Sequence, residues 1–251
     1  MTGALERMRG GLAVSVQARA GSPLAGPGHL AAIARAVEAG GAVGIRTEGV
    51  AAIRAIKEAV RVPVIGLVKR ELAGSDVYIT PELEDAIAAA EAGAELVAVD
   101  ATARSRPDGT GGADFVAAAS AELPGRIVAD VDDAAAGLAA AEAGAAAVAT
   151  TLAGYTDAAA ARGRAAPDAG AASGRAAPDA STPAPPDTAL VAELAQEVDI
   201  PVLAEGRYST PEEVWAALGA GAFAVVVGTA ITDPEELTRR LTVPPPLGAD
   251  G

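Results

Sequence analysis

Six polar side chains each stand at the end of a short apolar run. Gln17 closes LAVSVQ, Arg46 closes AVGIR, Lys69 closes PVIGLVK, Asp100 lies in LVAVDAT, Asp130 closes RIVAD and Glu205 lies in PVLAEG. The lysine is the informative one. Of 19 basic residues only Lys57 and Lys69 are lysines, so a chain biased toward arginine keeps a lysine where a core strand ends. Lysine has a reference pKa of about 10.4, and burial beside an arginine can bring it toward about 7–8, where it accepts a proton. An arginine there would stay charged and could not act as a base. Arg46, one strand away, is the candidate neighbour. Carboxylates at Asp130 and Glu205 add groups able to orient a partner or move a proton. The bland alternative is an ion-pair network among Arg46, Lys69, Asp130 and Glu205. Burying such charges unpaired would cost several kcal/mol each. Asp100 is the weakest candidate, since VDAT can brace the next loop. Lys57 and Arg54 read as a solvated helix face, and His29 as a loop or helix-start residue.

A second signal follows the last two runs. AEGRYSTPEE puts Glu205, Gly206 and Arg207 just after one, and VVGTAITDPEE puts Gly228 and Thr229 after the next. Glycine lets backbone N–H groups come close to an anion, and a helix start adds partial positive charge. A tight turn that merely needs glycine is the competing explanation.

The elements that must position these groups alternate. Eight β-branched runs occur at 12–17, 42–46, 63–69, 96–102, 126–130, 147–152, 201–206 and 223–229. Ala-rich helical stretches lie near 29–39, 50–59, 81–92, 113–122, 132–143, 188–198, 210–219 and 234–241. TPELEDA (80–86) and TPEEVWA (210–216) pair an N-cap Thr with Pro and first-turn acids. EAGGAVGI, EAGAELVAV, EAGAAAVAT and ALGAGAFAVVV repeat one form: helix end, Gly cap, buried strand. Eight such units predict an α/β fold, a single-domain (β/α)8 TIM barrel, whose sites lie at the C-terminal strand ends and whose last two loops commonly hold phosphate. An open doubly wound sheet is the alternative, but no GxGxxG follows the first strand. The barrel would span 1–157 and 188–242. Between strand six and helix six, 158–187 carries GRAAPDA twice in an Ala/Gly/Pro-rich tract and reads as a disordered insertion. Residues 243–251 read as a flexible tail.

Composition narrows the classes. The 251 residues carry a net charge of -14, which disfavours nucleic acid and anionic membranes as partners. No cysteine and one histidine exclude thiolate chemistry and Cys- or His-rich metal sites. MTGALERMRGG is not followed by an apolar stretch, and no run of about 18 apolar residues appears, so a cytoplasmic protein is expected.

Taken together, VSVQA (14–18), GGAVGIRTEG (40–49), PVIGLVKRE (63–71), SDVYITP (75–81), VAVDATARSRPDG (97–109), ADV (129–131), TTLAGYT (150–156), AEGRYSTPEE (204–213) and VVVGTAIT (225–232) resemble the N-acetylmannosamine-6-phosphate 2-epimerase family. The resemblance covers all but the insertion and the tails. It implies a barrel that interconverts N-acetylmannosamine 6-phosphate and N-acetylglucosamine 6-phosphate in sialic-acid breakdown, with no metal and no organic cofactor. It implies Lys69, Glu205 and Asp130 as catalytic residues, Gln17, Arg46 and Tyr155 as substrate contacts, and Gly206, Arg207, Gly228 and Thr229 as the phosphate site. A homodimer is compatible with this fold. One departure stands out: the family often reads ITRP after strand eight, and here Asp233 takes the arginine position. Inverting C2 means opening the sugar ring, removing the C2 proton beside the aldehyde, and returning a proton on the other face, with a cation near the developing enolate. Two readings compete with this one: another phosphate-binding barrel isomerase, and a sugar-phosphate binder without catalysis.

Overall fold

The computed structural model describes residues 3–19, 21–156 and 185–242. Most of the expected insertion and all of the expected tail lie outside the described residues. After a short helix α1 (Gly3–Glu6), strands and helices alternate: β1 (Leu12–Ser15), α2 (Pro27–Ala39), β2 (Gly44–Glu48), α3 (Val50–Ala59), β3 (Val64–Leu67), α4 (Leu83–Glu91), β4 (Leu96–Asp100), α5 (Gly112–Glu122), β5 (Ile127–Asp130), α6 (Ala134–Glu142) and β6 (Ala147–Ala149). A 3₁₀ turn (Thr150–Leu152) follows, then α7 (Thr188–Glu197), β7 (Val202–Glu205), α8 (Pro211–Gly219), β8 (Ala224–Val227), α9 (Thr229–Thr232) and α10 (Pro234–Leu241). All eight strands are parallel and the sheet closes, β1 pairing with both β2 and β8. The expected barrel is therefore the observed one.

The alternation of side chains along each strand sorts the core into two parts. Inside the barrel stand Ala13, Ile65, Leu67, Leu96, Ala98, Val128, Ala147, Ala149, Leu203, Ala224 and Val226. Outside, Val14, Ile45, Val64, Val97, Val99, Ile127, Ala129 and Val225 pack under the helices with Ile53, Ile56, Val116, Leu190 and Leu194. Each fully buried Val, Leu or Ile contributes about 1.5–3 kcal/mol. Small residues let the shell close: a methyl group on Gly66 would come within 2.8 Å of Ile53 and 2.7 Å of Ala94. At the N-terminal end the barrel is plugged by Leu5 and Met8, both fully buried within the inner cluster. Met8 fills the space over Gly44, where a methyl group would meet its Cε at 2.9 Å.

Two local expectations changed. Thr210 caps α8 through a reciprocal box with Glu213, as its sequence foretold. Thr80 does not cap α4; Glu82 does, its N–H bonded to Asp85 Oδ2 at 3.2 Å. The Thr80 hydroxyl is engaged elsewhere, donating to the Ala98 carbonyl at 2.6 Å and accepting from the Val68 N–H at 3.3 Å. Lys57 is not on a solvated face either. Half-buried, it pairs with Glu95, whose other oxygen accepts the Val64 N–H. Trp215, the chain's single tryptophan, stands 65% exposed on α8.

Candidate active site

The inward period of two continues past the apolar layers, so the next inward residues meet at the C-terminal mouth. Arg46 on β2, Asp130 on β5 and Glu205 on β7 converge although they are far apart in sequence. Arg46 grips Asp130 with two parallel hydrogen bonds, Nη1 to Oδ1 at 2.9 Å and Nη2 to Oδ2 at 2.6 Å. Its Nη1 also lies 3.1 Å from Glu205 Oε2. Arg46 and Asp130 are buried, 1% and 0% exposed. The Arg46 Nε–H is buried and has no partner among the described residues.

One guanidinium thus faces two carboxylates, and its charge is not shared evenly. Burial alone would ease a proton off Arg46, but Asp130 and Glu205 outweigh that and hold it firmly charged. Glu205 is pushed up to about 7, first by burial and then by Asp130, against the pull of Arg46, Thr151 and Lys69. The Thr151 hydroxyl lies 2.7 Å from Asp130 Oδ1 and 3.2 Å from Glu205 Oε2. Since that hydroxyl has one hydrogen, a protonated Glu205 can donate to it while it donates to Asp130.

Lys69 arrives differently. The β3–β4 ladder stops at Gly66 and Val97, whereas the β4–β5 ladder runs on to Asp100 and Asp130. Segment 76–80 folds back into the gap, forming an antiparallel bridge between Lys69 and Ile79. Arg70 N–H donates to Tyr78 O at 3.0 Å, Thr80 N–H to Val68 O at 2.6 Å, and Asp100 N–H to Ile79 O at 3.2 Å. Thr80 takes φ 46 to make this turn, a costly value for a β-branched residue. The expected strand ran to Lys69, but β3 ends at Leu67, so Lys69 stands two residues beyond it on the rim, its side chain exposed. Protein still crowds the ammonium on most sides. That desolvation lowers its pKa; Glu48 opposes the shift, Arg46 reinforces it, and Glu205 and Asp130 oppose it more weakly.

The remaining candidates distribute as follows. Gln17 donates to Ser15 Oγ at 2.9 Å beside the mouth. Gly206, with φ 116, turns the chain after β7, and Arg207 follows with φ 66. The Arg207 guanidinium donates to the carbonyls of Ala153 at 2.8 Å and Pro185 at 3.1 Å, and lies 5.4 Å from the centre of the Tyr155 ring. Gly228 abuts β1, where a methyl group would approach Ser15 Cβ to 3.3 Å, and Thr229 is exposed at the start of α9. Asp100 braces its own loop: Oδ1 accepts from Thr102 N–H at 3.0 Å and Thr102 Oγ1 at 2.7 Å, while Arg104 binds Oδ2. Burial raises the Asp100 pKa against those contacts. Asp233 caps α10 by accepting the Glu236 N–H at 3.0 Å, and its other oxygen meets Arg19 Nε at 2.8 Å.

Three groups near the mouth were not singled out from sequence. Thr151 continues the inward series Ala147, Ala149; Glu48 stands two residues after Arg46; counting by twos would have found both. Tyr78 comes from the folded-back segment, and burial raises its pKa, with Arg104, Asp100, Asp130 and Arg46 all in electrostatic range. No strand period foretells Tyr78. Among the described residues no cluster of His, Cys, Asp and Glu is arranged to hold a metal ion, and no helix is long and apolar enough to cross a membrane.

Residues 30–171 and 170–243 match the NanE family, "Putative N-acetylmannosamine-6-phosphate epimerase". A protein of Caldanaerobacter subterraneus subsp. tengcongensis that bears this description as a 2-epimerase is 41% identical over 94% of this chain and 91% of its own. One from Thermosynechococcus vestitus is 43% identical over 90% and 89%. The solved N-acetylmannosamine-6-phosphate 2-epimerase from Clostridium perfringens superposes with a TM-score of 0.80 at 37% identity, covering 95% of this chain and 94% of that one.

Proposed function

From the premise that this chain belongs to the N-acetylmannosamine-6-phosphate epimerase family, we propose that its barrel mouth inverts C2 of that sugar phosphate by moving protons between side chains. The observation that carries the reading is the charged knot of Arg46, Asp130 and Glu205 with Lys69 at its edge. The arrangement matches what C2 inversion requires. In the open-chain form the C2 proton is acidic because loss of it leaves an enolate on C1. Lys69, its pKa lowered, takes that proton in its neutral form. Glu205, protonated up to about pH 7, gives its own proton to the opposite face of C2. The step leaves an ammonium and a carboxylate, and proton exchange through the open mouth restores the pair. Arg46 places fixed positive charge by the developing enolate oxygen, and its unpartnered Nε–H is a donor for the substrate. Asp130 holds Arg46 in place, so it orients the cation and does not itself exchange protons. Gln17 and Tyr155 contact the sugar, and the backbone of Gly206, Arg207, Gly228 and Thr229 receives the phosphate.

The chemistry runs without a metal ion in this reading. Arg46 already occupies the space between the two carboxylates that a cation would need. The test is isotope uptake. Incubation with N-acetylmannosamine 6-phosphate in heavy water should put deuterium at C2 of the N-acetylglucosamine 6-phosphate formed, at the same rate with and without a chelator. Product without deuterium at C2 would rule out proton transfer, and loss of turnover on chelation would restore a metal.

A further inference from the structure

We infer that Arg19, on the loop after β1, supplies the cation that binds the substrate's phosphate. The inference rests on the reading that places this phosphate at the β7 and β8 loops. Backbone amides alone give a dianion few charges to meet in a chain of net charge -14. The obvious side chain, Arg207, has Nε and Nη1 committed to the carbonyls of Pro185 and Ala153. On the β8 side the chain offers Asp233, an acid.

The β1 loop is tied to this corner. Thr232 Oγ1 bridges the Ser15 carbonyl at 3.0 Å and the Gly228 carbonyl at 3.2 Å, and Asp233 N–H reaches Thr229 O at 3.3 Å. Arg19, four residues after Ser15, lays Nε on Asp233 Oδ2 at 2.8 Å, with Nη2 3.6 Å from Glu236 Oε2. Its side chain is still 46% exposed, and guanidinium has five N–H donors, so Nη1, which no described residue engages, can meet an anion. Asp233 is spent locally, one oxygen on the Glu236 N–H and the other on Arg19. With both oxygens engaged, it repels a phosphate at Gly228 and Thr229 less than an uncompensated acid would. Arginine suits the role because its planar fork matches phosphate oxygens.

The experiment compares Arg19→Ala, Arg19→Lys and Asp233→Asn in the full chain, which keeps the α10 cap in the last case. Kinetics use N-acetylmannosamine 6-phosphate, and calorimetry measures binding of inorganic phosphate. Arg19→Ala should raise KM and the phosphate Kd about tenfold, the worth of one charged hydrogen bond, with kcat within about twofold. Arg19→Lys should recover part of that loss. Asp233→Asn should move both constants the other way, because it releases Arg19 while removing an acid. An unchanged KM and Kd in Arg19→Ala, or Arg19→Ala and Asp233→Asn shifting together as a broken brace would, overturns the assignment. Absence of turnover by the unmodified protein would sink the proposed function and leave the phosphate Kd to judge Arg19.

Discussion

The two ends of the barrel are built from the same eight strands and the same alternation, yet they hold opposite contents. At the N-terminal end Leu5 and Met8 close the inner layer, and both are apolar and fully buried. At the C-terminal end the same inward positions carry Arg46, Asp130, Thr151 and Glu205, where one guanidinium serves two carboxylates and one of them keeps its proton to about pH 7. The first end sets apolar side chains against apolar neighbours. The second leaves a buried N–H unpartnered and a carboxyl far from its ordinary value. A substrate can relieve that imbalance, whereas nothing needs to bind at the plug.

Three substitutions test this division. The largest effect is expected from Lys69→Arg, which keeps a cationic side chain but cannot lose its proton. Turnover should fall by roughly 10²–10⁴ with thermal stability unchanged, measured by kcat and by the far-ultraviolet circular dichroism melt. Near-normal turnover would remove Lys69 as the base. Glu205→Gln should lower kcat by about 10² and also alter pH behaviour. The folded pKa of Glu205, about 7, lies above the ordinary 4.5, so its stabilising share is full below about pH 4.5 and is lost as pH rises through 7. The melting temperature of the unmodified protein should therefore drop between those values relative to Glu205→Gln. Parallel curves would mean that Glu205 titrates normally. The smallest effect on catalysis belongs to the other end. Met8→Ala should cost about 2–5 kcal/mol of stability and change kcat/KM less than twofold. A large catalytic loss there would show that the plug and the mouth are coupled.

Much of this arrangement was legible in the sequence, for a physical reason. Period-two alternation fixes which residues of a strand point inward, so Arg46, Asp130 and Glu205 could be assigned to one opening before any coordinates. Their mutual grip could not, since it depends on side chains brought together across the barrel. Lys69 was readable as a strand-end group, but its footing was not: the segment 76–80 has no periodic signature, and Thr80 looked like a cap because a cap and a turn hydroxyl are the same residue type. Asp233 was readable as a departure after strand eight, an acid where the family often has arginine. The Arg19 contact that neutralises it joins residues 214 positions apart (233 minus 19), and no local pattern announces such a pair.

Trp215 has a practical side. Its indole is already bathed in water on the outer face of α8, so unfolding changes its surroundings little. With no second tryptophan in the chain, indole emission would look much alike for the intact barrel and the random coil. An observer relying on that light would miss the collapse of the whole structure. The same silence makes the site useful: a partner settling on that face would bury the indole and shift its emission to the blue.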